Sequence, residues 1–161
     1  MAVDEVRVLP DDTAHELLTN TLERANRVSN LVRAEALQHQ VFAGADLREI
    51  VKQHTEKGKL PDGFITPILQ RVQASLERRA GKQPKFSQYQ SLTLPPSAYK
   101  WGDGKVTMLT ARGKRTIAIR IDHSHGGLRH PLDGRPVMIV FRNGDFDLCA
   151  ADVDRSDDDD D

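Results

Sequence analysis

The apolar positions of the chain follow two different rhythms. Leu18, Leu22, Ala25, Val28, Val32, Ala36 and Leu37 recur every three to four residues, which places them on one face of a long helix. Asp11, Asp12 and Thr13 precede that run and supply N-cap chemistry, with acidic groups where a helix N-terminus favours them. Phe42 extends the stripe, and Gly44 is expected to end the helix. Asp46 then caps a second, shorter helix carrying Leu47, Ile50 and Val51. The breaker-rich stretch 57–63 (KGKLPDG) is a connector. Thr66 is expected to cap a third helix with Pro67 at its first position, where a missing N–H costs nothing. Ile68, Leu69, Val72 and Leu76 form its buried face, with Gln70, Arg71, Arg78 and Arg79 off that face.

On either side of this helical stretch the rhythm is that of strands. Val3, Val6 and Val8 alternate in a short strand ended by Leu9-Pro10. Beyond Gly81–Pro84 the period falls to two. Ser91–Leu94 is a strand halted by Pro95-Pro96. Val106–Leu109 and Thr116–Ile121 pair around a turn at Arg112-Gly113. There Ile117, Ile119 and Ile121 point one way and Thr116, Ala118 and Arg120 the other. Asp103-Gly104 marks a further turn. Val137–Phe141 and Phe146–Cys149 flank Asn143-Gly144, a two-residue hairpin signal. The expected fold is therefore α+β. A first strand in 1–10 returns to a β-barrel-like section in 81–152, a small helical bundle in 11–80 is inserted between them, and 153–161 is a disordered acidic tail.

The 161 residues contain no apolar run long enough for a membrane helix, and no basic segment followed by an apolar stretch opens the chain. No membrane partner is expected. A single cysteine, Cys149, excludes an internal disulfide and fits a cytoplasmic location. The net charge of −1 conceals a strong asymmetry. Residues 1–80 hold 11 basic and 12 acidic groups, 81–148 hold 11 and five, and 149–161 hold one and seven. Between Arg71 and Arg120 there are 11 basic residues against Glu77 and Asp103 alone. Such a segment points to a polyanionic partner, most often nucleic acid; an ordinary solvated cationic face is the simpler alternative.

The densest cluster is Arg78-Arg79-Ala80-Gly81-Lys82-Gln83-Pro84-Lys85-Phe86-Ser87-Gln88-Tyr89, followed by Tyr99, Lys100, Trp101, Lys105, Arg112, Lys114 and Arg115. Cations neutralise phosphates, and interleaved aromatic rings stack on unpaired bases. Packing of Phe86, Tyr89 and Trp101 into a core is the competing explanation. His123 and His125, with His130 beyond, are half of a conceivable metal site without a visible partner cluster. Ser124 beside these histidines makes no triad, no glycine-rich phosphate loop is present, Cys149 reads as a buried structural thiol, and Asp152 and Asp154 lack further carboxylates. No cofactor is expected.

The order of these motifs resembles the N-terminal half of the TnpB-type proteins of insertion sequences, which are transposon-encoded RNA-guided DNA nucleases. Arg7-Val8-Leu9-Pro10 is similar to the family's opening strand, and Leu17–Asn26 to its first helix, where a leucine pair precedes L-E-x-x. Ile68–Arg79 resembles its Arg-rich last recognition helix. Gly81-Lys82-Gln83-Pro84-Lys85-Phe86-Ser87 resembles the G-x-P-x-F-K segment that follows, and Trp101–Val106 its β section. The resemblance implies a helical recognition domain inserted in an OB-like wedge domain. It also implies a structured guide RNA and duplex DNA as partners. The family's RNase-H-like nuclease domain is not matched here, so the portion is expected to be non-catalytic, with a separately encoded nuclease domain as a further conceivable partner. A cleft between helices and β section would be lined by Arg71, Arg78, Arg79, Lys82, Lys85, Lys114, Arg115 and Arg120, with Phe86, Tyr89 or Trp101 stacking on a base. Sequence specificity would then lie in base pairing by the RNA. Two other classes stay open: an adaptor gripping an acidic protein, and a small metalloenzyme using His123, His125 and His130.

Overall fold

A computed structural model describes residues 5–78, 85–120 and 130–151. The chain begins with β1 (Glu5–Arg7), runs through α1 (Asp12–His39), α2 (Gly44–Lys57) and α3 (Ile65–Glu77), and continues as β2 (Leu92–Leu94), β3 (Tyr99–Gly102), β4 (Lys105–Thr110), β5 (Gly113–Ala118), β6 (Val137–Arg142) and β7 (Asp145–Ala150). The α+β class and the order strand, helices, strands agree with the sequence pattern.

The strands form two antiparallel sheets, one ordered β1-β7-β6-β2 and one ordered β3-β4-β5. No closed barrel is formed among the described residues. The sheets meet through the end of β1: Val8 bridges Ile119, Leu9 N–H donates to Ala118 O, and Arg120 N–H donates to Arg7 O. At the other side, a 3₁₀ turn at Pro96–Ala98 carries the chain from β2 into β3, and the buried Tyr99 hydroxyl donates to Val137 O at 3.0 Å. The first strand does return to the later sheet, with Val6 opposite Leu148. The Asn143-Gly144 hairpin forms as its sequence requires, with both residues at positive φ. Tyr99–Gly102 is a strand that the alternation did not reveal, because it is only four residues long and lies between two turns.

The three helices pack on one another, and Leu18, Leu22, Ala25, Val28, Val32 and Ala36 of α1 are all buried as the stripe demands. Asp11 caps α1 by accepting from Ala14 N–H at 2.8 Å. The other helix ends differ from expectation. α1 stops at His39, because Gln40 adopts the left-handed conformation and Val41 N–H closes on Ala36 O; Phe42 is exposed. Gly44 opens α2 rather than closing α1, and Ala43, not Asp46, is the N-cap; Asp46 sits in the first turn. A 3₁₀ turn at Asp62–Phe64 leads straight into α3, so Thr66 and Pro67 lie inside its first turn, where the N–H groups lack intrahelical partners anyway. Gly63 lets this turn approach the second sheet: a Cβ there would stand 2.8 Å from a methyl of Leu109. Thr21 in α1 makes a second tie, accepting from Ala111 N–H at 2.9 Å.

Candidate nucleic-acid interface

Between α3 and the edge of the first sheet the chain from Lys85 to Ser91 runs as a strap over the helices. Its backbone is held by side chains one turn apart on α1. Asn30 accepts from Phe86 N–H at 2.8 Å and donates to Phe86 O at 2.9 Å. The buried Asn26 donates to Gln88 O and Gln90 O at 3.0 and 3.1 Å. These asparagines satisfy backbone groups that a strand partner would otherwise take.

Arg71 completes the latch from α3. Its Nη1 donates to Asn26 Oδ1 at 2.7 Å and, more weakly, to Ser29 Oγ at 3.5 Å, while Nη2 donates to Ser91 O at 3.0 Å. The guanidinium lies 4.3 Å from the centre of the Phe86 ring. Arg71 was expected off the apolar face of α3 and in a cleft between helices and β section; it lies in the seam beside such a cleft, and burial pushes its pKa down to about 10. Phe86 is half-buried against it.

A cleft of about 450 Å³ opens beside this latch, lined by Arg71, Arg78 and Lys85 among others, with Phe86, Gln90 and Thr93. Among the described residues, three cations and no carboxylate line it. Arg79 and Lys82, expected in the same cleft, lie outside the described residues.

The remaining expected residues are elsewhere. Lys114, Arg115 and Arg120 are exposed on and just beyond β5. Register places Lys100 beside Thr107 and Thr116, Leu109 beside Lys114, and Lys105 beside Ala118 on one face of the second sheet. Arg120 continues that alternation two residues past Ala118. The face thus presents Lys100, Lys105, Lys114 and Arg120 around the Thr107–Thr116 hydroxyl pair (2.7 Å), and no strand residue on it is acidic. Arg115 is on the other face and donates to Lys114 O. Tyr89 is exposed and packs edge-on to Phe141, and does not line the cleft. Trp101 is half-buried and stacks between partners of its own, His130 at 4.2 Å and Tyr99 at 5.7 Å between ring centres.

His130 is occupied by this stack and by Leu132 N–H, which donates to its Nδ1; His123, Ser124, His125, Asp152 and Asp154 lie outside the described residues. No group of three metal-binding side chains exists among the described residues. Cys149 is buried, its thiol 3.2 Å from a Glu5 carboxylate oxygen.

The residues that sequence reasoning missed are Asn26, Ser29, Asn30 and Arg33. Their spacing of three and four puts a polar stripe along α1 beside the apolar one. Read with the same care as the leucines, that stripe signals a second buried face. No protein-family model matches the chain, and comparison with curated proteins finds no match.

Proposed function

We propose that this protein binds nucleic acid backbone through its basic β section, as the recognition and wedge portion of a TnpB-type RNA-guided nuclease. The observation that carries the reading is the set of exposed cations on one face of the second sheet: Lys100, Lys105, Lys114 and Arg120 with two threonines and no acid among the described strand residues. A folded protein gains nothing from gathering like charges on one sheet, since they repel. A phosphate backbone laid over them releases counterions and reverses that cost. The cleft beside Phe86, with three further cations, supports the same reading. In it the two sheets joined through β1 play the part of the OB-like, β-barrel-like wedge, and the helices that of the recognition insertion. A structured guide RNA is the main ligand, duplex DNA the second, and base pairing by the RNA supplies sequence choice.

Filter binding of an RNA hairpin across a salt series tests this. Affinity is expected to fall steeply with salt, and the variant carrying Lys100→Gln, Lys105→Gln, Lys114→Gln and Arg120→Gln should flatten the log–log slope by about 3, at roughly 0.7 per lost contact. No binding at low salt, or an unchanged slope in the variant, overturns the proposal.

A further inference from the structure

The seam between α1 and α3 holds two arginines whose charges the described protein does not neutralise. Arg33 is 8% exposed, and its Nε donates to Ser75 Oγ at 3.0 Å. Arg71 lies one turn earlier on α3 than Ser75, fixed as described above. Neither forms an ion pair with any described residue. Holding the strap needs only neutral donors: an amide could bond Asn26 and Ser91 without bringing a charge out of water. A half-buried guanidinium whose partners are all neutral, the Phe86 ring included, gains further if an anion comes to it. Its fixed geometry also suits an anion. With Asn26, Ser29 and Ser91 engaged, the Nε–H and one Nη2 hydrogen of Arg71 have no acceptor among the described residues. A planar fork of donors matches phosphate oxygens. The cleft alongside has a volume within the range of small-ligand sites, two more cations in Arg78 and Lys85, and no carboxylate among its described lining residues.

We infer that the cleft is a phosphate pocket, with Arg71 as its half-buried anchor and Arg78 and Lys85 beside it. The phosphate belongs either to a bound RNA backbone, in which case the inference rests on the proposed function, or to a free phosphate. Because Arg71 also grips the strap through Ser91, an occupied pocket tightens the junction between helices and sheets.

The test is NMR of the full chain with ¹⁵N-labelled arginine, following the Arg71 Nε–H. Inorganic phosphate is added against chloride at matched ionic strength, and hexauridylate is added separately. A saturable shift with phosphate and not with chloride is expected. It should be lost in Ala74→Glu, which places an internal carboxylate at an exposed position of the cleft wall. A matching shift with hexauridylate assigns the phosphate to RNA; a shift with inorganic phosphate alone supports the pocket with a free anion as its ligand. An Arg71 resonance that neither probe moves overturns the inference, even if the hairpin still binds through Lys100, Lys105, Lys114 and Arg120. So does an Ala74→Glu protein that folds and responds as the parent does. Conversely, a phosphate shift without any hairpin binding sinks the proposed function and leaves the pocket standing.

Discussion

On one face of the first sheet, Arg7 and Arg142 meet Glu5, Asp145 and Asp147 across three neighbouring strands. Arg7 Nε donates to Asp147 Oδ1 at 2.6 Å and Nη1 to Asp145 at 3.2 Å, while Arg142 reaches Glu5 at 3.2 Å and Asp147 at 3.7 Å. The hydrogen bond to Asp147 pushes the Arg7 pKa further up. On the second sheet, Lys100, Lys105, Lys114 and Arg120 form no ion pair with a described residue, and Lys114 Nζ donates only to a neutral group, Ser97 O, at 3.4 Å. Both faces are rich in cations, but the first uses them to hold three strands in register, and the second leaves them to solvent. A charge matched inside the fold serves the fold, whereas a set left unmatched on a flat surface is available to a partner.

The strongest way to break this contrast is to give the second sheet the acids that the first has. Lys105→Glu together with Lys114→Glu should weaken RNA-hairpin binding roughly 100-fold at low salt, measured by filter binding, because four units of charge are withdrawn from a backbone-binding face. The thermal midpoint should scarcely move, as both positions are exposed. Asp147→Asn is the converse. Asp147 is 5% exposed and carries two arginine contacts, so the thermal midpoint should fall by roughly 5 °C while hairpin affinity stays unchanged. A fall in affinity instead would mean that the first sheet also binds.

The smallest expected effect concerns the tie between the sheets. Burial pushes the Tyr99 phenol pKa up, so the native protein keeps a proton that the unfolded chain releases near pH 10. The tie contributes in full below about pH 10 and is lost progressively above it. Tyr99→Phe should cost about 1 kcal/mol at neutral pH in urea unfolding, through the missing bond to Val137 O, and should flatten the alkaline decline. An alkaline decline equally steep in the variant would place its cause elsewhere.

Much of this was legible in the chain. The apolar stripe of α1, the Asn143-Gly144 hairpin and the Ile117–Ile119 alternation all followed from local spacing, whereas the return of β1, expected from the order of elements, is a pairing across 140 residues or more. The basic segment was visible as composition, but its division was not. The residues from Arg71 to Arg120 form one stretch in sequence, yet Arg71 enters a helical seam, Lys85 edges a cleft, and Lys114 and Arg120 lie on a sheet face. The place of Arg71 beside a cleft was expected, but its latch on the strap was not, because an arginine beside a helix's apolar stripe is ordinarily solvated. Its burial depends on Asn26 and Ser91, 45 and 20 residues away.

The sequence by itself determined the three helices and all strands but β3, and where the cations and acids are concentrated, since these depend mostly on neighbours within a few residues. Only the tertiary structure decided which charges are cancelled. Coulomb pairing and desolvation depend on what lies within a few ångströms in space. Asp147 reaches Arg7 across 140 positions of chain, while the lysines of the second sheet have no such acid among the described strand residues of their face.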